Sequence, residues 1–269
     1  MADKKDFKTV EINSDMQDEI DQQIRRHRRK VVRRVITAIF VIALLFVGIQ
    51  LWSALRSYDS YEIRNKIEQQ YSGSAKYETF LGKTVEYNND GIVYRDLDNE
   101  LIWNQSFEMS TPMLSICESY LAIYDQGGTS IYIMTTTGLS KKIETSTPIS
   151  TVCVANQGTV AVLMKEDNVS TVRLYDRKGN ELANGEFYVE KGSFPIDIAL
   201  SYDAQKLAVD MLDVKEGKVS STVSFYNFGS VGQNEIDNNV GTYSYADMFI
   251  SEISYVASDR MVALSDTGF

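Results

Sequence analysis

The acidic run Asp96-Leu97-Asp98-Asn99-Glu100 has the residue types and the alternating spacing with which calcium-binding loops supply oxygen ligands. Such a loop needs a glycine at its sixth place, where this chain has Leu101, and a terminal glutamate, which is missing. An Asp-rich run between two apolar segments is also what a hairpin turn requires. We therefore interpret the run as a solvated hairpin turn, and we expect no metal site.

Groups for acid–base and nucleophilic chemistry are otherwise scarce. The single histidine, His27, lies near the N-terminus, so the residues after Leu55 contain neither a histidine base nor a zinc-binding His/Cys cluster. The chain has no G-x-S-x-G nucleophile elbow and no glycine-rich phosphate loop. Thirty Asp and Glu residues after Leu55 would form pairs by chance, so they do not indicate glycoside hydrolysis. The sequence predicts no catalytic residues, no cofactor and a protein that is not an enzyme.

A repeat organises the second half of the chain. Each of the three prolines begins a short predicted strand, which a polar turn and a strand with an apolar-Ala-apolar core follow. Later hairpins contain turns such as Gln126-Gly127-Gly128, Arg177-Lys178-Gly179-Asn180 and Glu216-Gly217. The copies begin at Thr111 (TPMLSIC), Thr147 (TPISTVC) and Phe194 (FPIDIAL), with Leu121-Ala122, Val160-Ala161 and Leu207-Ala208 at one shared place.

The spacing of the repeat predicts the fold class. The prolines lie 36 and then 47 residues apart, which is close to the interval of a four-stranded propeller blade, about 40 to 50 residues. A β-sandwich is the structural alternative, but strands grouped at a regular interval favour blades. The sequence therefore predicts an all-β, β-propeller-like domain.

Two further copies extend the repeat. One begins at Gly91 (GIVYRDLDNELIWNQSF), and its Asp-rich turn and Trp-bearing strand resemble the repeats of quinoprotein-like propellers. Another begins near Met248, has Met261-Val262-Ala263 in the place of the Leu-Ala-apolar strand, and reaches half a blade at Phe269. We expect about four blades and a partial one, and a natural protein longer than this sequence. The resemblance implies the fold and not the quinone cofactor, because the adjacent cysteines of those enzymes have no counterpart here.

Both cysteines belong to the repeat. Cys117 and Cys153 each lie five residues after a proline, at the place that Leu200 holds in the third copy. Equivalent positions of neighbouring blades are seldom close enough for a disulfide, which needs Cα atoms within about 7 Å. We expect buried free thiols that act as small apolar side chains.

A membrane anchor is predicted before this domain. Residues 35–55 carry no charge, and a helix of that length spans roughly 31 Å, close to a hydrocarbon thickness of about 30 Å. A cleaved signal peptide fits less well, because the charged region before the run is long and no A-x-A-like site follows. Basic residues stay in the cytoplasm, so we expect the N-terminus inside and the C-terminal domain outside the cell membrane.

The predicted membrane contacts are a basic cluster before the span and one aromatic residue near its outer end. The cluster sets the topology and attracts anionic lipid head groups, while a regulated docking site for a lipid or protein is the alternative. These residues are Arg25, Arg26, Arg28, Arg29, Lys30, Arg33, Arg34 and Trp52.

The chain is thus divided into a cytoplasmic basic tail (1–34), a transmembrane helix (35–55), a spacer (56–75) and the extracytoplasmic domain (76–269). In the tail, the spacing of Met16, Ile20 and Ile24 predicts a helix that runs into the span. The part after Leu55 has a net charge of −13. Nucleic-acid binding needs a basic surface, so this function is excluded.

This layout resembles an uncharacterised family of single-pass membrane proteins of Gram-positive bacteria with a propeller-like, quinoprotein- or WD40-like external domain. The resemblance implies no catalytic residues. We expect a non-enzymatic binding or scaffolding module at the cell envelope, with an envelope protein or a glycan as its partner. An extracytoplasmic hydrolase or quinone-dependent oxidoreductase, and an envelope signal sensor, are the alternatives.

Overall fold

The computed structural model describes residues 14–55, 75–188, 192–215 and 217–268. It divides into two units, Met1–Lys66 and Ile67–Phe269. The first part of the predicted tail, nearly all of the predicted spacer, and Glu216 of one predicted turn lie outside the described residues.

A single helix, α1 (Ser14–Ala54), forms the described part of the first unit. It contains Met16, Ile20 and Ile24, and it continues into the apolar run, as the sequence predicts. The large apolar side chains of the run are exposed, with 65% of Ile42 and 62% of Phe46 accessible. Among the described residues, His27–Ser53 is the one helical stretch that is long and apolar enough to cross a membrane. The helix is therefore compatible with a membrane span or a signal anchor.

The second unit consists of antiparallel sheets, each formed by strands that are consecutive in the chain. Within the described residues, four sheets have four strands and a fifth has two. Sheet 1 contains β1 (Lys76–Phe80), β2 (Lys83–Asn88), β3 (Gly91–Arg95) and β4 (Leu101–Ser106), and sheet 2 contains β5 (Pro112–Cys117), β6 (Tyr120–Asp125), β7 (Ser130–Thr135) and β8 (Gly138–Glu144). Sheet 3 contains β9 (Ile149–Val154), β10 (Val160–Lys165), β11 (Val169–Tyr175) and β12 (Glu181–Tyr188), and sheet 4 contains β13 (Ser193–Leu200), β14 (Lys206–Lys215), β15 (Lys218–Asn227) and β16 (Asn239–Ala246). Sheet 5 contains β17 (Ile250–Ala257) and β18 (Arg260–Ser265).

Every four-stranded sheet keeps its strands in chain order, with the first strand at one edge and the fourth at the other. This is the construction of a propeller blade. The connection between β15 and β16 is longer and contains two 3₁₀ segments, Gly232–Asn234 and Ile236–Asn238. The predicted all-β, propeller-like architecture of about four blades and a partial one is confirmed.

Apolar side chains fill four layers, one between each pair of successive sheets. The alternation of the second strand explains the Leu-Ala-apolar pattern. Leu207 and Val209 pack in the layer before sheet 4, whereas Ala208 packs in the layer after it. Because both faces of these sheets are covered, β10 is buried along almost its whole length.

Two details of the predicted repeat are corrected. Pro112 begins β5 and Pro148 directly precedes β9, but Pro195 lies inside β13, where the pairing with β14 shifts in register. The bulge leaves Ile196 without a partner, directly after Pro195, which has no N–H to donate. The first copy begins at Lys76 rather than at Gly91, because β1 and β2 complete the sheet that contains β3 and β4.

Candidate functional site

The first strands of the sheets form the inner layer of the second unit. β9 contacts both β5 and β13, and β13 in turn contacts β17. Two side chains connect this layer to the next sheet: the N–H of Val154 donates to Ser115 Oγ at 3.1 Å, and the N–H of Ile250 donates to Ser221 Oγ at 2.9 Å. The contacts among β5, β9, β13 and β17 therefore form one continuous central surface.

A cavity of about 180 Å³ opens at the C-terminal ends of these four strands. It is the position at which propellers present their central channel. Serine, tyrosine, cysteine and apolar side chains line it: Ser115, Ile116, Cys117, Cys153, Val154, Ala199, Leu200, Tyr202, Ile253, Ser254, Tyr255, Val256 and Ala257.

The mouth of this cavity carries a polar cluster around Tyr202. The Tyr202 hydroxyl forms hydrogen bonds with Glu118 and Asn156, and the bond with Glu118 is the main reason why the pKa of Tyr202 is raised. The backbone N–H of Asn156 also donates to the carbonyl oxygen of Tyr202 at 3.0 Å. Glu118 has a left-handed backbone with φ of 48°. A partly exposed ring, a carboxylate and an amide thus meet at one edge of the opening, which suits hydrogen bonding and stacking with a ligand.

The two cysteines are free and line this cavity. The Cys153 thiol donates to the carbonyl oxygen of Ile198 at 3.0 Å, and burial, with the Asp197 charge as a second cause, raises the pKa of Cys153 to about 12. Burial and the neighbouring Glu118 also raise the pKa of Cys117. Both thiols are free, as predicted, but the two residues are half-buried rather than buried. Because a reactive cysteine must be a thiolate, the raised pKa values disfavour reactivity of both side chains near neutral pH.

The predicted equivalence of the two cysteines is wrong. Cys153 lies opposite Ala161, and the residue opposite the corresponding Ala122 is Ser115. Cys117 lies opposite Tyr120, at the end of its strand. The turns between the first and second strands differ in length: two residues connect β5 to β6, and five connect β9 to β10. Counting from the proline therefore does not give the register, and Ala199 rather than Leu200 holds the equivalent place in sheet 4.

A pair of carboxyl groups lies between sheets 4 and 5. Asp197 of β13 and Asp210 of β14 are directly paired, and the N–H of Ile253 in β17 donates to Asp197 Oδ2 at 2.9 Å. Asp210 is 0% exposed, and neither carboxyl oxygen has a hydrogen-bond partner within the described part of the chain. Burial, with the Asp197 charge as a second cause, raises the pKa of Asp210 to about 7. Asp210 can hold a proton near neutral pH, but it is out of reach of a substrate.

A departure from the repeat in the sequence marks this pair, although no catalytic or metal-binding motif includes it. After the Leu-Ala-apolar core, the next residue of the second strand is Tyr124 in sheet 2, Leu163 in sheet 3 and Asp210 in sheet 4. All three point towards the following sheet, so an acidic residue at this place of an apolar pattern indicates a buried carboxyl group.

The acidic run of sheet 1 is a turn, as predicted. Asp96 Oδ1 accepts the backbone N–H groups of Asp98 at 3.0 Å and Glu100 at 2.8 Å. Asp176 forms the same turn in sheet 3, where its Oδ1 accepts the N–H groups of Lys178 and Asn180, each at 2.8 Å. Among the described residues, no group of three or more His, Cys, Asp or Glu side chains comes together as a metal site would require.

The predicted membrane residues all lie on α1. The described basic side chains of this cluster, residues 28–30, 33 and 34, are exposed, as is Trp52 near the other end of the helix. The side chains of Arg25 and Arg26 lie outside the described residues. The cluster therefore lies on the single helix of the first unit.

Comparison with known proteins gives one family and a fold. A model of a family of unknown function, DUF5711, matches residues 54–269. No curated protein matches the sequence.

The solved structures with similar folds share little sequence. Hsv2 of Kluyveromyces lactis, with loop 6CD replaced by a Gly-Ser linker, has a TM-score of 0.52 and 14% identity over 73% of this chain and 64% of its own. Unmodified Hsv2 has a TM-score of 0.50 and 13% identity over 71% of this chain and 64% of its own. Hydrazine synthase of Kuenenia stuttgartiensis has a TM-score of 0.47 and 12% identity over 73% of this chain and 56% of its own. The chain spans about three fifths of the length of these proteins. The likeness to Hsv2 supports the propeller-like fold alone.

Proposed function

Because the chain belongs to the DUF5711 family of unknown function and folds into propeller-like sheets, we propose that it is a non-enzymatic binding or scaffolding module held at the cell envelope by its N-terminal helix. Its partner in this proposal is an envelope protein or a glycan. The observation that carries the proposal is the cavity at the ends of the central strands, with Tyr202, Glu118 and Asn156 at its mouth.

The chemistry of the cavity favours binding over catalysis. Tyr202 and Tyr255 offer aromatic faces, and Ser254 is an exposed hydroxyl. These groups hydrogen-bond and stack with a partner without forming or breaking covalent bonds. The groups with raised pKa do not act as nucleophiles here, because both thiols stay protonated and Asp210 is buried beneath sheet 5.

The helix supports a place at the membrane. Its exposed apolar side chains would lose contact with water in a bilayer, and each Lys or Arg beside an anionic leaflet adds about 1 kcal/mol of attraction. In this proposal the basic cluster holds the N-terminus in the cytoplasm, anionic lipids contact the cluster, and the sheets lie outside.

Site-specific photocrosslinking tests the binding role. A photoreactive phenylalanine analogue replaces Tyr202 at the cavity or, as the matched control, Tyr243, which is 59% exposed on the outer strand of sheet 4. In membranes of the native cells we expect one dominant adduct from position 202 and none from position 243. Equal labelling from both positions, or no adduct from position 202, would reject the cavity as the binding site.

A reporter fusion tests the topology. Alkaline phosphatase, which is active only outside the cytoplasm, is fused after residue 268 of the full chain, and its activity is compared with that of a variant in which residues 25, 26, 28–30, 33 and 34 are all Gln. We expect activity in the parent and a large loss in the variant, because the basic residues set the orientation. An inactive fusion at wild-type expression would reject the proposed orientation.

A further inference from the structure

A groove of about 480 Å³ separates the outer parts of sheets 3 and 4, away from the central cavity. Its floor is apolar and aromatic, and includes Val172, Leu174, Phe187 and Tyr226. Phe187 and Tyr226 meet edge to face with their ring centroids 6.3 Å apart. We call this feature the outer groove. Its volume is in the range of sites that bind small molecules or peptide side chains.

The rim of the outer groove on the sheet 4 side carries a carboxylate and an amide, those of Asp237 and Asn238. Glu186 of β12 lies beside the groove, but its carboxylate accepts the Tyr188 hydroxyl at 2.7 Å and interacts with Arg173 on the opposite face of sheet 3. The residues that line the groove include no Lys, Arg or His. A cationic group would therefore be attracted to the rim, while an apolar group would be buried on the floor.

β12 offers a free backbone edge along this groove. It is the last strand of sheet 3, and its outer edge has no strand partner within the described part of the chain. Unpaired N–H and C=O groups of an edge strand are a template for another extended chain.

Gly185 in the middle of β12 lines the outer groove and has no structural need to be glycine. A Cβ placed there would touch only Phe187, at an ordinary contact distance of 3.8 Å. Glycine within a strand often marks a place where a ligand or another backbone approaches closely. The missing side chain leaves the backbone of β12 open on the groove side.

The other wall of the outer groove is the connection between the third and fourth strands of sheet 4, residues 228–238. The same connection has five residues in sheets 1 and 3 and two residues in sheet 2. Its residues Asp237 and Asn238 are both left-handed, with φ of 56° and 58°. Asp and Asn are the non-glycine residues that adopt this backbone most readily, so the two residues form a tight turn that places Asp237 and Asn238 at the groove. The same loop presents Val231 and Ile236 to solvent, at 67% and 85% exposure.

From these observations we propose that the outer groove is a peptide-docking site, in which an extended segment of a partner protein pairs with the edge of β12. The segment carries a Lys or Arg for the Asp237 carboxylate at the rim and an apolar or aromatic side chain for the floor. The site is separate from the central cavity, so it does not depend on the cavity's function.

Peptide selection tests the proposal. A phage-displayed library of random dodecapeptides is selected on the full chain in detergent micelles, and enriched peptides are measured against variants. We expect peptides with a basic residue one or two places from an aromatic or aliphatic residue. Gly185→Val should weaken their binding at least tenfold, because its side chain blocks the approach to β12 while a β-branched residue suits the strand. Asp237→Asn, which removes the charge and keeps a residue type that tolerates the left-handed backbone, should weaken it about threefold and reduce its salt dependence.

The control is Ser244→Val, which adds a similar side chain to the exposed outer strand of sheet 4. It should leave binding unchanged, and circular dichroism should show wild-type strand content in all three variants. Enriched peptides that are acidic, or whose affinity is the same for the wild type and Gly185→Val, would overturn the proposal. Because position 202 is not involved, a negative result here leaves the photocrosslinking result at the cavity unaffected.

Discussion

Replacing Asp210 by asparagine should remove a pH dependence that this carboxyl group gives to the stability of the second unit. Asp210 is fully buried between sheets 4 and 5 without a hydrogen-bond partner for either carboxyl oxygen in the described structure. Asp197, its cross-strand neighbour, is the charged group that acts on it. Glu252 of β17 and Lys165 of β10 act in turn on Asp197. Asparagine keeps the size of the side chain and cannot ionise.

The sign follows from proton binding. In the unfolded chain Asp210 loses its proton near its ordinary pKa of 3.8, whereas in the folded protein burial raises the pKa to about 7. Between these values the folded state binds more protons than the unfolded chain, so the free energy of unfolding falls as the pH rises, and the decline stops above about pH 7. At about 1.36 kcal/mol per pKa unit, this group costs the wild type about 3 kcal/mol between pH 4.5 and pH 7.5.

Urea unfolding of the full chain in detergent micelles, followed by far-ultraviolet circular dichroism, measures this effect. The quantity is the difference in unfolding free energy between Asp210→Asn and wild type at pH 4.5 and at pH 7.5, because acidic residues away from Asp210 titrate equally in both proteins. We expect the variant to gain about 3 kcal/mol relative to the wild type over this interval.

Asp210→Leu is the matched second variant. It also removes the ionisable group but offers no amide for new hydrogen bonds. Its difference in unfolding free energy from the wild type should therefore change with pH by the same amount, although the value at any one pH differs from that of Asp210→Asn. If both variants follow the wild-type pH dependence within about 0.5 kcal/mol, Asp210 does not hold a proton in the folded state and the reasoning from its burial fails.

The same urea titration at constant pH checks three packing predictions. Ser221→Ala should cost about 1–3 kcal/mol, because the N–H of Ile250, which Ser221 Oγ accepts at 2.9 Å, would remain buried without an acceptor. Leu163→Ala, at a fully buried site between sheets 3 and 4, should cost about 2–5 kcal/mol by leaving a cavity. Gly158→Ala should cost about 1–3 kcal/mol, because φ is +82° there and the added Cβ would lie 2.6 Å from the Tyr120 ring. A cost below about 0.5 kcal/mol at any of these positions would contradict the packing described for it.

The fold was predictable because the repeat combines local and periodic signals. Proline spacing marked the first strands, and the Leu-Ala-apolar core marked the second strands, including Met261-Val262-Ala263 in β18. Asp96 was interpreted as a turn residue from the lack of a calcium-loop glycine, and its carboxylate does close a turn. These features depend on a few neighbouring residues, so one sequence is sufficient to detect them.

The register was not predictable from spacing. Turns of two and five residues between first and second strands shift the pairing, so Cys117 and Cys153 are not equivalent. In sheet 4 a bulge after Pro195 shifts the pairing further. The outer groove was missed for a related reason. The residues that line it are spread along the chain from residue 172 to residue 238. No local pattern indicates that β12 and the long connection of sheet 4 face each other.

The positions where the repeat is broken concentrate on sheet 4. Its second strand has Asp210 where the preceding sheets have Tyr124 and Leu163, and its last connection, residues 228–238, is the longest. A residue that recurs in every sheet meets the same neighbours each time, so packing alone accounts for its type. A buried carboxyl group costs stability without improving that packing, and the long connection adds residues that the other four-stranded sheets do not need there. The carboxyl pair on one face of sheet 4 and the outer groove on the other are therefore features that the packing of the repeat does not explain.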